Sequence, residues 1–358
     1  MLLWSMHGSS QVYERSRHED RSFRVYERTS LEVYNKYGNI HLFTWEKDSV
    51  RIEVDLTVKA SKESKADKMF EYIDFEFSDS KYYIIVRTTF RQSQGSFWAE
   101  LSDLANTMFS GGNKAQVDYN VYLPAGMSVK LENKFGNVYC TDHKGKFDVN
   151  LSNGDLKANN LAGPVELDLS FGNAGINHIE SGKIKGSYLE MDLGSAVELF
   201  VESKSSTYNI EKAGVIKLQS RRDKFYIDEV SSVTGQTSFS YVTVKGFSRI
   251  MKLHTEYGEI KVRGIDPVFK SIELDSRYTD IAVQLQQQVS CKVDVQHSQA
   301  TGIYFPDAFD GLKVIPPADK EGMTTTSGFI GTEGQGSGEI RITIQSGKVS
   351  FQEEIQLF

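Results

Sequence analysis

The chain has 358 residues, 39% of them hydrophobic, with 48 acidic and 41 basic side chains and a formal net charge of −7. The charges are mixed and no basic stripe stands out, which argues against nucleic acid as a partner. No apolar run of about 20 residues could cross a bilayer as a helix, and the two cysteines, Cys140 and Cys291, have no metal-ligand spacing and read as buried small hydrophobes.

In chain order, residues 1–22 read as a tail. Met1-Leu2-Leu3-Trp4-Ser5-Met6, followed by small and polar residues, is too short for a signal peptide but resembles the end of one. Asn35-Lys36-Tyr37-Gly38-Asn39-Ile40 is the first copy of a motif that returns at Asn133-Lys134-Phe135-Gly136-Asn137-Val138. Between them, Val50 to Val58 alternates as a strand. Ser61 to Ile73 reads as a helix, with Ala66, Met69, Phe70 and Ile73 at helical spacing. Phe75 to Thr89 reads as two strands around Ser78-Asp79-Ser80. Residues 50–90 are therefore expected to form an α+β cap over the first repeat, shielding an exposed sheet edge. A second insertion, 91–116, places Phe97, Trp98, Leu101, Leu104, Ala105, Met108 and Phe109 at helical spacing between Gln94-Gly95-Ser96 and Gly111-Gly112. This helix is expected to pack on the sheet, with a docking helix or mobile lid as the functional alternative.

From Gly136 a register repeats every 17 to 21 residues. With the motif glycine as position zero, equivalents fall at Gly38, Gly136, Gly154, Gly172, Leu189, Ser206, Asp223, Ser240, Gly258, Thr279 and Ala300. The positions seven and five before zero are apolar except Gly182 and Gly235. Those two after are apolar except Gly302, and those four after have no polar entry. Alternation on both sides of a fixed corner means strand, corner, strand, turn, and a period of this length means stacked units. The expected fold is all-β, a parallel β-helix of about ten to eleven rungs forming one domain over 23–358. A stack of ordinary hairpins is the competing arrangement. Residues 308–338, with Pro316-Pro317 and a Thr- and Gly-rich stretch, read as a long loop. Ile340 to Gln352 reads as a closing hairpin turning at Ser346-Gly347.

The motif aliphatic-x-Asn-x-(Phe/Tyr)-Gly-Asn-(Ile/Val), at Val33 to Ile40 and Leu131 to Val138, resembles the bacterial putative-adhesin domain family of unknown function. Trp45-x-x-Asp48-x-Val50, the entry Tyr122-Leu123-Pro124-Ala125-Gly126 and Ser346-Gly347-Lys348 fit the same family. The resemblance covers roughly residues 23 to 350. It implies a β-helix-like envelope or secreted protein with no established catalysis. The chain departs from the pattern in lacking a full export signal and in carrying the Trp98 helix.

One residue before each zero stands an aromatic column: Tyr37, Phe135, Phe171, Tyr188, Phe239, Tyr257 and Tyr278, interrupted by Asn153, Ser205, Arg222 and Gln299. Exposed, it could stack on sugar rings; buried, it is packing. The expectation is that the glycine corner turns the rings inward, with Arg222 hinting at an open section. Tyr188, Arg222, Phe239, Tyr257, Tyr278 and Trp98 are the candidate binding residues. Two carboxylate groups, Glu132, Asp148, Glu166 and Asp168, and Glu273, Asp275 and Asp294, have Lys130, Lys183, Lys185, Lys252 and Lys292 as neighbours, which describes a solvated ladder. No cofactor, phosphate loop, nucleophile motif or His pair with metal spacing is present, and a calcium ion held by loop carboxylates is left open. The expected function is non-enzymatic: an envelope or secreted adhesin-like protein presenting a β-helical face to a glycan or a surface protein. The alternatives are a polysaccharide-degrading enzyme using Asp148, Glu166 and Asp168, and an envelope scaffold docking a protein through helix 97–109.

Overall fold

The computed structural model describes residues 12–91, 114–317, 322–332 and 338–353. The predicted helix 97–109 with Trp98 lies outside the described residues, as does the segment 1–11. Among the described residues the chain is all-β apart from one short helix, and its pairing is mostly parallel and does not close on itself. It divides into two compact units, residues 1–157 and 158–358.

In unit 1 the strands are β1 (Tyr13–Arg24), β2 (Ser30–Lys36), β3 (Ile40–Trp45), β4 (Ser49–Ala60), β5 (Ile73–Asp79), β6 (Tyr83–Phe90), β7 (Lys114–Pro124), β8 (Ser128–Lys134), β9 (Val138–Cys140) and β10 (Phe147–Ser152), with helix α1 at Glu63–Tyr72. The predicted α+β elements are present. β6 pairs in parallel with β2 and β7 in parallel with β3, so the insertion supplies the layer on which the first motif rests. β2 and β3 pair onward, in parallel, with β8 and β9.

Residues 13–22 are not a tail. β1 runs antiparallel to β4 over its whole length, Tyr13 opposite Ala60 and Arg24 opposite Ser49. The apolar alternation that marks a strand is missing there because β1 is a charged edge strand. Its Arg15 pairs with Glu63 and Asp67 of α1 at 3.0 and 2.8 Å, and Arg17 lies over Phe75.

The two asparagines of the motif each have a separate task. The first points inward: Asn35 Nδ2 donates to the Val117 carbonyl at 3.0 Å, and Asn133 Nδ2 to the Gly38 carbonyl at 2.9 Å. The second braces the next layer: Asn39 Oδ1 accepts from the Asn137 amide at 3.0 Å, and Asn137 Oδ1 from the Asp155 amide at 2.9 Å. Between them, Gly136 must be glycine. A Cβ there would fall 1.9 Å from the Gly38 oxygen of the layer before.

Unit 2 holds β11 (Leu156–Lys204), β12 (Thr207–Arg221), β13 (Lys224–Val262), β14 (Ser271–Leu285), β15 (Cys291–His297), β16 (Thr301–Tyr304), β17 (Leu312–Ile315), β18 (Thr324–Ile330), β19 (Gly338–Ile344) and β20 (Gly347–Glu353). The long strands bend at every repeat and pair one repeat on: Glu190 with Thr207, Thr207 with Lys224, and Ile250 with Ser271. The apolar columns read from the sequence are the core; Ile184, Val201, Leu218, Met191, Tyr208, Phe225, Ile260 and Ile281 are all buried. Gly235, the break in one column, has φ +134°, and a Cβ on it would meet the Leu218 oxygen at 2.0 Å. Cys140 in unit 1 and Cys291 in unit 2 are free and buried, and burial pushes each thiol up to about 12.

Two expectations for the C-terminal region are corrected. Ile340 to Gln352 is no hairpin. β19 and β20 pair in parallel with the two halves of β14 on one side, Ile272 opposite Ile340 and Ile281 opposite Val349. On the other side they pair in parallel with β15 and β16. They form one more repeat, bent at Ser346-Gly347, inserted between repeats that precede it in sequence. A Ser-Gly turn with alternation on each side has the same local pattern whether the strands fold back or stack onward; the pairing decides. Nor is 308–338 a bare loop. β17 and β18 pair antiparallel, and β18 lies along β15, Cys291 opposite Ile330. Thr324 to Thr326 carries the β-branched preference, and the proline pair and glycines obscured it.

Replacing Asn133 by Ala removes the donor to a buried carbonyl and is expected to cost about 1–3 kcal/mol, read as a lowered denaturation midpoint of the full chain.

Candidate functional site

The backbone locates the corner at the position the repeat predicts. Among the described residues ten non-glycine residues have φ between 50° and 69°: Tyr37, Phe135, Asn153, Phe171, Tyr188, Ser205, Arg222, Phe239, Tyr257 and Tyr278. Each stands one before a zero position. Gln299 is not among them. A left-handed non-glycine residue costs roughly 1–2 kcal/mol, so the chain maintains this conformation against a steady local penalty.

The rings do not turn inward. Tyr37 is 9% exposed, but Phe135, Phe171, Tyr188, Phe239, Tyr257 and Tyr278 are 43% to 56% exposed. The left-handed residue reverses the side on which its own side chain emerges, so the ring leaves the convex side of the bend. The residue at zero then points inward: Ser206, Asp223, Ser240 and Thr279 are all buried. The inference from a glycine corner failed because at most repeats the strained residue is the aromatic one itself.

In unit 2 the exposed rings stack along the repeat. Phe171 and Tyr188 are 5.0 Å apart at 9°, Phe239 and Tyr257 4.8 Å at 4°, and Tyr257 and Tyr278 4.8 Å at 6°. Arg222 extends the upper stack, its guanidinium carbon 5.9 Å from the Phe239 centroid. In unit 1, Tyr37 and Phe135 stack at 5.5 Å. Each stacked pair contributes roughly 0.5–1.5 kcal/mol, which offsets much of the corner penalty. Five of the six candidate residues, Tyr188, Arg222, Phe239, Tyr257 and Tyr278, thus belong to one edge of unit 2.

Beside this edge runs a groove of about 560 Å³, lined by Gln219, Ser220, Arg221, Gln236, Thr237 and His254 and by two carboxylates, Glu202 and Glu256. A second depression of about 430 Å³ shares Gln236 and His254 and reaches Lys252, Glu273 and Arg341. The sequence hid these residues because an outward polar column looks the same whether it faces open water or a groove. In unit 1 an outward aromatic group was also missed as a site: His41 stacks on Tyr139 at 4.6 Å and Phe43 on Tyr122 at 5.1 Å, with Trp45 tilted on Tyr122 at 5.6 Å. Its residues lie on three different strands, so no linear motif links them.

The corner is braced from within. The Leu189 amide donates to Ser206 Oγ at 3.1 Å, the Ser206 amide to Asp223 Oδ1 at 2.7 Å, and the Asp223 amide to Ser240 Oγ at 3.1 Å. Asp223 is fully buried, and burial raises its pKa despite hydrogen bonds from the Ser206 amide and from Ser220 Oγ. The candidate carboxylates differ. Glu132 pairs with Lys130 at 3.2 Å, Glu273 with Lys252 at 3.2 Å and Asp275 with His254 at 3.1 Å, all with solvent access. Among the described residues no group of three His, Cys, Asp or Glu side chains is placed to hold a metal ion, and no helix is long and apolar enough to cross a membrane.

Because the folded pKa of Asp223 is raised, its contribution to stability is greatest below the ordinary carboxylate pKa and is lost as pH rises through the raised value. Asp223→Ser, matching Ser206 and Ser240, is expected to flatten the fall in Tm on going from pH 4 to neutral pH relative to the native chain.

Neither a protein-family model nor a curated protein matches the chain. It is similar to a putative cell adhesion protein from Clostridium sporogenes, with 10% identity over 95% of this chain and 100% of that one and a TM-score of 0.21. It is also similar to a putative adhesin from Bacteroides fragilis, with 12% identity over 94% and 97% and a TM-score of 0.25. A third, a putative adhesin from Parabacteroides distasonis, has 12% identity over 94% and 97% and a TM-score of 0.29. At these identities and scores the likeness does not extend to a ligand or an activity.

Proposed function

We propose that the chain is a non-enzymatic, adhesin-like binding protein of the cell surface or the secreted fraction, built as a parallel β-helix, and that it binds glycan along the aromatic edge of unit 2. The observation that carries this reading is the exposed ladder Phe239–Tyr257–Tyr278, held in a strained backbone conformation beside a polar groove. Strain of this kind persists only where the surrounding structure enforces it, and it concentrates at functional positions. The ladder offers the CH groups of a sugar an apolar ridge of stacked ring edges, and Gln219, Gln236 and His254 of the groove offer planar polar groups for its hydroxyls. Glu132, Glu273 and Asp275 are each paired with a basic side chain and reach solvent, which speaks against a catalytic role for these three.

An array of bacterial-envelope and host glycans tests this. The native chain is expected to bind a restricted set of glycans. The double variant Tyr257→Asn, Tyr278→Asn is expected to bind at least tenfold more weakly with its Tm little changed, because asparagine tolerates the left-handed corner and already occupies it at Asn153. Binding that survives in the double variant removes the ladder from the site. The absence of binding by the native chain removes the glycan and leaves a protein partner.

A further inference from the structure

The corner column of unit 2 is not continuous. It reads Phe171, Tyr188, Ser205, Arg222, Phe239, Tyr257, Tyr278, one residue per rung, all left-handed and so all projecting the same way. Six of the seven carry a flat group: five rings and a guanidinium. Ser205 alone carries none. Stacked neighbours in this column stand 4.8 to 5.0 Å apart. The rungs of Tyr188 and Arg222 are two strand spacings apart, about 9.6 Å, and the layer between them carries only the small side chain of Ser205, which leaves a slot between the ring and the arginine. Inside an intact ladder each ring covers the faces of its neighbours and offers a ligand only its edge. Tyr188 stacks on Phe171 on one side, has only the layer of Ser205 on the other, and is 55% exposed. Arg222 is held on its other side by Phe239.

The charge around the slot has one sign in excess. Lys204 and Arg221 stand beside each other on the rungs of Ser205 and Arg222, just before the corner, and Lys224 follows it. The neighbouring Lys212 and Lys217 are paired with Glu229 and Glu198, whereas Lys204, Arg221, Arg222 and Lys224 have no ion pair among the described residues. Glu190 stands on the rung of Tyr188, Glu202 and Glu256 line the groove beside Arg221, Glu256 being paired with Arg277 at 3.8 Å, and Asp223 is turned inward and occupied by its own hydrogen bonds. Arg221 also lines the 560 Å³ groove, so a chain lying in that groove passes the mouth of the slot.

We propose that this slot is the specificity-determining subsite of the glycan-binding edge, and that it takes one acidic sugar ring of a polysaccharide. The proposal rests on the glycan-binding reading and names the substrate class. A ring seated over Ser205 completes the ladder. Its CH face lies about 4.8 Å from Tyr188, inside the 4.5–7 Å range of ring contacts, and its carboxylate or sulfate meets Arg222, Lys204, Arg221 and Lys224. A guanidinium presents a fork that matches either anion with two hydrogen bonds. A neutral sugar satisfies Tyr188 and leaves the cations unanswered; an acidic peptide satisfies the cations and leaves the ring face empty.

The test is calorimetric titration of the full chain with polygalacturonate, dextran sulfate, dextran and poly-glutamate at low and high salt. At least one acidic polysaccharide is expected to bind tenfold or more tightly than dextran and poly-glutamate, with a preference that shrinks as salt screens the charges. The two acidic probes separate carboxylate from sulfate. Ser205→Tyr fills the slot with the ladder's own side chain. It is expected to keep or raise Tm and to abolish the preference, while Arg222→Gln reduces it about tenfold. Dextran bound as tightly as the acidic polymers, acidic binding that survives Ser205→Tyr, or poly-glutamate bound equally well each overturns the subsite. The first two leave the glycan reading standing. If none of the polysaccharides binds and the array is also blank, the glycan reading falls with it.

Discussion

The repeats depend on one backbone constraint, a left-handed residue at the corner of ten of them, all but that of Gln299. It bends an extended chain sharply without ending it, so the next strand starts in register for parallel pairing. It also inverts the side-chain alternation at the bend. The residue at the corner is thrown outward and the next is turned in. An exposed ladder and a buried hydrogen-bonded column are thus two results of the same torsion angle, and neither can change without the other.

The buried column shows how such a corner is stabilised. A sharp bend leaves backbone amides that cannot all join the sheet, and burying them unpaired is costly. In unit 1 the asparagines of the motif supply the missing partners. In unit 2 the same work is done by Ser206, Asp223 and Ser240, each accepting the corner amide of the repeat before. The motif fades along the sequence because several side chains can accept that hydrogen bond, while the corner it serves does not change.

Outside, the ladder is close to neutral for stability, since stacking offsets strain. Its identities are therefore free to serve binding. The break at Ser205 and the guanidinium at Arg222 would each be an unremarked interruption in a core column. On an exposed, strained edge they create a space with an aromatic wall, a cationic wall and surplus positive charge.

The period, the apolar columns, the corner position and the α+β insertion were all legible in the residues, because each is set by local pattern: period-two alternation, helical spacing and recurrence. The charged strand β1 was not, since its stabilising contacts come from α1 about 50 residues away. Nor was the last repeat, which has the local pattern of a hairpin and becomes a rung only through pairing with β14. The direction of the rings was missed for a related reason. Sequence determined which residues stand at the corner, but the sign of φ at that corner depends on the hydrogen bonds of the layers beside it. Tertiary structure alone decided that Tyr188 and Arg222 face outward on either side of the layer of Ser205, because facing is a property of stacked neighbours and not of any one segment.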